Sequence, residues 1–288
     1  MKTILLLTDF SENADHAAQS ALMLCSRLHN NLLLFNNLCG ATVSEGYVGS
    51  QWLQDSLPEC EPERYLNLQK TAEFIEQQAV NLKRGQYKPN VSVDCGAGNI
   101  GENVENIMQS NDIEFALMGG GVNCTLEQIL NDNNTSTVID YISRPLIIVP
   151  QPSTLDKLKK VTFATGFNES DINAIRYICK LGSVFGFQLD IVHVDPLDKK
   201  GEIQDEIEAN FKKQVTELNY PQITFNAVKG KDVVKRLIRL CEESESELLS
   251  VVYYDQSFFI RMLHQSTAKK VLNYQKVPLM ILPAKMCN

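Results

Sequence analysis

The sequence repeats itself, and the length of the repeat limits the fold more than any other feature. Residues 4–37, "ILLLTDFSENADHAAQSALMLCSRLHNNLLLFNN", align without a gap on residues 161–194, "VTFATGFNESDINAIRYICKLGSVFGFQLDIVHV", at an offset of 157. Thr8 falls on Thr165, Phe10 on Phe167, Glu12 on Glu169 and Ala17 on Ala174. The ends repeat as well: "FALMGGG…SRPLIIVP" aligns with "LLSVVYY…KVPLMILP" at an offset of 133, with Pro145 on Pro278 and Pro150 on Pro283. A period this long cannot belong to a solenoid, whose units run to about 20–50 residues. It marks a duplicated domain, with residues 1–150 and 151–288 as the two copies and Gln151-Pro152-Ser153-Thr154 as the polar linker.

Within each copy, short apolar runs alternate with stretches of helical periodicity. That alternation argues for a parallel α/β sheet. Strands are expected near 3–8, 31–36, 90–94, 113–118 and 145–149, then near 160–165, 187–194, 222–228, 247–252 and 278–282. Helices are expected near 13–28, 61–84, 100–110 and 134–142, then near 169–184, 201–218, 231–243 and 264–274. Ala17, Ala21, Leu24 and Leu28 recur at helical spacing. Asn134 or Thr135 is the expected N-cap of the helix after it.

Charge and cysteine usage narrow the function. The first copy carries 8 Lys and Arg against 18 Asp and Glu; the second carries 19 against 17. An acidic first half argues against a nucleic-acid groove. No window approaches 18 uninterrupted apolar residues, so no membrane span is expected. The eight cysteines are scattered singly with no C-x-x-C pair. They read as reduced thiols of a cytoplasmic protein. His16, His29, His193 and His264 lack metal-type spacing, and His193 reads as structural. Neither a G-x-S-x-G elbow nor a P-loop is present.

The stretches "TILLLTDFSENADHAAQSALMLC", "ALMGGG" and "NTSTVIDYISRPLIIVP" resemble the universal stress proteins in their tandem two-domain form, and the resemblance covers nearly the whole chain. It implies two similar doubly wound, Rossmann-like domains, each with five parallel strands in the order 3-2-1-4-5. It also implies a ligand crevice at the carboxyl ends of strands 1 and 4, where such folds bind. The last strands would pair, here within one chain as a pseudo-dimer, with a homodimer as a further arrangement.

Nucleotide-binding members of that family carry Gly-x2-Gly-x9-Gly-(Ser/Thr) after strand 4. Glycines let backbone N–H groups approach phosphates, and the helix N-terminus adds favourable charge. An Asp at the end of strand 1 contacts the adenosine part. Transferred to this chain, the candidate nucleotide site comprises Thr8, Asp9, Met118, Gly119, Val122, Asn133 and Asn134. The match is incomplete. Val122 stands at the second glycine position, and Asp132-Asn133 stand at Gly-(Ser/Thr). A carboxylate about 4 Å from one phosphate charge costs ~4 kcal/mol at an effective dielectric of 20. A bridging Mg²⁺ would offset that cost; the alternative reading is that the Gly run makes a tight turn and that Asp132 and Asn134 cap the helix.

The second copy departs further. Gly166 replaces the strand-1 Asp, Val252 and Asp255 replace two glycines, and Gln265-Ser266 replace the last pair. Tyr253, Tyr254, Phe258 and Phe259 crowd the phosphate space, so no nucleotide is expected there. Lys229, Lys231, Lys235, Arg236 and Arg239 cluster around one expected helix and read as a solvated face, with an anion or partner site as the alternative. "GAGNIG" at 96–101 reads as the start of a helix. The irregular segment 40–64 is long enough to cover the crevice. The expectation is a non-enzymatic cytoplasmic stress-response protein that works by binding a protein partner or a small ligand. No cofactor is expected, with an ATP- or AMP-binding sensor in the first domain as the alternative.

Overall fold

The computed structural model describes residues 1–38, 62–82, 85–121, 128, 132–195, 202–230, 232–254 and 276–287, with backbone only for 202–204 and 287. The first half runs β1 (Thr3–Leu7), α1 (Glu12–Leu28), β2 (Asn31–Leu38), α2 (Pro62–Val80), β3 (Val91–Ala97), α3 (Ile100–Ser110), β4 (Ile113–Gly120), α4 (Asn133–Tyr141) and β5 (Leu146–Pro150). The second runs β6 (Lys160–Ala164), α5 (Glu169–Phe185), β7 (Gln188–Asp195), α6 (Glu202–Thr216), β8 (Ile223–Lys229), α7 (Val233–Glu243), β9 (Leu248–Tyr253) and β10 (Leu279–Pro283), followed by a short 3-10 turn. The helix expected over 264–274 and most of segment 40–64 lie outside the described residues.

All ten strands form one sheet in the order β3-β2-β1-β4-β5-β10-β9-β6-β7-β8. Each half is parallel and has the expected 3-2-1-4-5 order. The halves join where β5 meets β10 antiparallel, with Ile147 opposite Met280. The joining strands read LIIVP and LMILP and are buried at every position. That suits strands covered on both faces.

The repeat extends to the backbone. Phe10 and Phe167 both turn left-handed, with φ of 63° and 62°, at the corner between first strand and first helix. His29 and Gly186, also 157 apart, take the left-handed C-cap position of α1 and α5. The same side chains hold each corner. Thr8 Oγ1 accepts from the Phe10 N–H at 3.1 Å, and Thr165 Oγ1 from the Phe167 N–H at 2.9 Å. The Thr8 carbonyl accepts from Asn36 Nδ2 at 2.7 Å. The Thr165 carbonyl accepts from His193 Nδ1 at 2.8 Å. Asn36 and His193 are again 157 apart. A carbonyl can only accept, so the His193 proton must sit on Nδ1.

Two expectations need correction. Asp132, not Asn134 or Thr135, is the N-cap of α4: its Oδ2 accepts from the Thr135 N–H at 3.0 Å and from Thr135 Oγ1 at 3.0 Å. The Asp side chain one residue before the helix reaches the N–H groups that the helix leaves unsatisfied. The thiols are not all reduced. Cys95 on β3 is disulfide-bonded, whereas Cys25, Cys179 and Cys241 are free and buried.

Candidate functional site

Each half has a cleft at the carboxyl ends of its first and fourth strands, where the strand order reverses. The first is about 340 Å³. Of the seven residues expected there, Thr8, Asp9, Met118, Gly119 and Asn134 line it. Asn133 does not; it is exposed on α4. Val122 lies outside the described residues. Asp132, expected at the phosphate-loop position, lines the cleft too, and Asn36, Asn37, Ser11 and Asn13 also line it and were missed. The repeat itself could have found Asn36, since the corner it braces occurs twice.

The local geometry follows from the strand-to-helix corner. Asp9 turns back on α1, where its Oδ1 accepts from the Ser11 N–H at 3.0 Å and from Ser11 Oγ at 2.6 Å. Ser11 is the N-cap of α1 and accepts from the Ala14 N–H. Asn37 donates to the Gly98 carbonyl at 2.9 Å and accepts from Asn103 Nδ2 at 2.7 Å, which ties the cleft wall to α3. Arg64 reaches Asn36 Oδ1 at 3.2 Å.

Gly119 has a second physical reason to be glycine. A Cβ there would lie 2.5 Å from the Asn13 backbone carbon and oxygen and 2.9 Å from the Ala14 nitrogen. Only a residue without a side chain lets the N-terminus of α1 rest on the end of β4. The residue that most suggested a phosphate loop is therefore required by packing alone.

Electrostatics at the α4 N-terminus run against phosphate. Asp132 already takes the Thr135 N–H, a donor of the kind an anion would use. Asp9 and Asp132 bring two carboxylates to the lining, and no described lining residue is Lys, Arg or His.

The second cleft is about 420 Å³. Asp171 replaces Ala14 of the first half and takes over the corner. Its Oδ2 accepts from Thr165 Oγ1 at 2.8 Å, from the Gly166 N–H at 3.1 Å and from the Asn168 N–H at 3.2 Å. Its Oδ1 accepts from the Tyr254 hydroxyl at 2.8 Å, and that hydroxyl accepts from Ser170 Oγ at 2.7 Å. Burial pushes the Asp171 carboxyl above its ordinary value, against four hydrogen bonds that pull it down. Tyr254 lines this cleft and is held there by Asp171; Phe258 and Phe259, expected beside it, lie outside the described residues. Tyr253 instead crosses the seam to hydrogen-bond Asp140. His193 stacks on Phe167 at 4.2 Å and places Nε2 3.2 Å from Asp195 Oδ1.

Three residues of the basic cluster around α7 form ion pairs on the helix. Lys235 meets Asp232 at 3.4 Å, and Arg236 and Arg239 meet Glu243 at 3.4 and 2.7 Å. Among the described residues, no group of three or more His, Cys, Asp or Glu could hold a metal ion, and no helix is long and apolar enough to cross a membrane.

Two doubly wound parallel half-sheets on one chain, fused through their fifth strands and each with a switch-point cleft, define a tandem α/β protein. The fold is that of the tandem universal stress proteins. A universal stress protein from Archaeoglobus fulgidus superposes with a TM-score of 0.71 over 98% of both chains, at 17% identity. A provisionally assigned universal stress protein from Pseudomonas aeruginosa gives 0.57 over 100% of this chain and 95% of its own, at 12% identity. A functionally unknown protein from the same species gives 0.56 over 100% and 94%, at 11% identity. The sequence matches no family model, and no curated protein matches it.

Proposed function

We propose that the chain is a non-enzymatic cytoplasmic stress-response protein that acts by binding a protein partner or a small ligand at its first-half cleft. Residues 1–150 would carry that cleft, and residues 151–288 would form a second domain that has lost nucleotide binding. The observation that carries the reading is the role of Asp132. Its carboxylate occupies the N-terminus of α4 and accepts the Thr135 N–H, so a phosphate would meet a like charge where it needs a donor. The described lining residues include no Lys, Arg or His to meet a phosphate.

A nucleotide sensor is the second reading. It is favoured by the meeting of Thr8, Asp9, Met118, Gly119 and Asn134 in one cleft. Isothermal titration with ATP and AMP, with and without Mg²⁺, separates the two. The first reading expects no ATP binding by the wild type at millimolar concentration. It also expects at least a tenfold gain, on the order of 1.4 kcal/mol, in the Val122→Gly, Asp132→Gly double variant. Micromolar binding by the wild type, or Mg²⁺-dependent binding that Asp132→Gly abolishes, would establish the sensor instead.

A further inference from the structure

The two clefts occupy equivalent places in the fold, yet their walls differ in kind. Where the first has Asp9, Asn36 and Asn37, the second has Gly166, His193 and Val194. Where the first has Gly119, the second has Val252. Val233 and Leu237 line the second cleft from α7, and Val192, Val194 and Val251 line it from the sheet. Val192, Val194 and Leu237 form an apolar cluster of their own, with Val233 packed against it.

The backbone donors of the corner are unavailable to a ligand. The Gly166 and Asn168 N–H groups both point to Asp171, which is 2% exposed. An anionic ligand entering here would meet a carboxyl group that has consumed those donors; beyond the corner residues together with His193 and Tyr254, the lining is aliphatic: Ala164, Val192, Val194, Val233, Leu237, Val251 and Val252. Such walls favour a ligand that loses little on leaving water.

We propose that the second-half cleft is a binding site for an uncharged, predominantly apolar small molecule. Its volume of about 420 Å³ falls within the range of about 300–1,000 Å³ that holds drug-sized ligands. The site is separate from the first-half cleft and does not depend on what that cleft binds. The duplicated fold would thus hold two clefts of opposite chemical preference, one polar and acidic, the other aliphatic.

The test uses the full chain and the neutral dye Nile red, whose fluorescence rises in apolar surroundings. The expected result is saturable one-to-one binding to the wild type that excess ATP does not displace. Val233→Trp fills the cleft from a half-buried position. Val194→Asn restores the polar residue that the first half has at this place. Each should weaken binding at least tenfold, with thermal melting showing which variant is folded; if one fails to fold, the other decides. Absence of saturable binding, displacement by ATP, or unchanged affinity in a folded variant would overturn the proposal.

Discussion

Ile147 and Met280 face each other across the antiparallel pairing of β5 with β10, and they are the same position of the two halves, 133 residues apart. The flanking pairs exchange in the same way, Ile148 with Leu279 and Leu146 with Ile281. Interchanging the halves therefore maps the seam onto itself, as in an isologous two-fold interface between separate subunits. The two residues are 2% and 1% exposed. Ile147→Lys and Met280→Lys each bury an unpaired charge and should destabilise the chain by about 3–5 kcal/mol. A differential scanning fluorimetry series should show similar losses for both, about 6 °C or more. A melting temperature within a degree or two of wild type for both would mean the seam does not form.

Gly119 and Gly120 are adjacent but answer to different neighbours. Gly119→Ala drives a Cβ into the Asn13 backbone, which cannot yield without moving α1. We expect a loss of about 1–3 kcal/mol. A Cβ on Gly120 meets Ile148 Cγ2 at 3.2 Å and the Pro150 backbone at 3.3 Å, so Gly120→Ala should cost less. Urea unfolding of the two variants side by side checks the order. Equal stability of Gly119→Ala and wild type would remove packing as the reason for this glycine.

Lys160 and Asp190 form a mostly buried ion pair at 2.8 Å between β6 and β7. Burial pushes the Asp190 carboxyl up, but Lys160, Thr224 and Gln188 together outweigh it and hold the group below its ordinary value. A depressed carboxyl contributes stability above its unfolded pKa and loses it as pH falls through the folded one. Lys160→Met leaves the carboxylate unpaired and should cost about 3 kcal/mol at neutral pH. The difference from wild type should shrink as pH falls below the ordinary carboxylate range and Asp190 becomes protonated. Denaturant melts across that range would show it; a difference independent of pH would contradict the assignment.

Cys25, Cys179 and Cys241 should resist modification. Burial pushes the Cys25 thiol far up and takes Cys179 and Cys241 to about 11. At neutral pH almost none is thiolate, the reactive form. Iodoacetamide should leave all three unlabelled in native protein and label them on unfolding, as read by peptide mass spectrometry. Rapid native labelling of any one would show that its segment opens.

Much of the fold was legible because strands buried on both faces read as continuous apolar runs. The 157 and 133 offsets then fixed which runs correspond. The sites were less legible, because their chemistry depends on contacts that no local pattern records. Asp132 could be read either as a misfit in a phosphate loop or as a helix cap; only its bond to the Thr135 N–H decides for the cap. Asp171 sits at an ordinary first-turn position of α5, and its partner Tyr254 lies 83 residues away. Gly119 read as a loop glycine because its contact with Asn13 crosses more than a hundred residues.

The antiparallel seam has a consequence for how the molecule behaves as its abundance changes. Two identical subunits joined this way would separate on dilution, since their association is second order. Here the partners share a covalent chain, so each meets the other at a local concentration fixed by the short linker, on the order of millimolar or above. The seam therefore closes at any expression level, and unlike clefts stay in a one-to-one ratio that no mixture of separate subunits could guarantee.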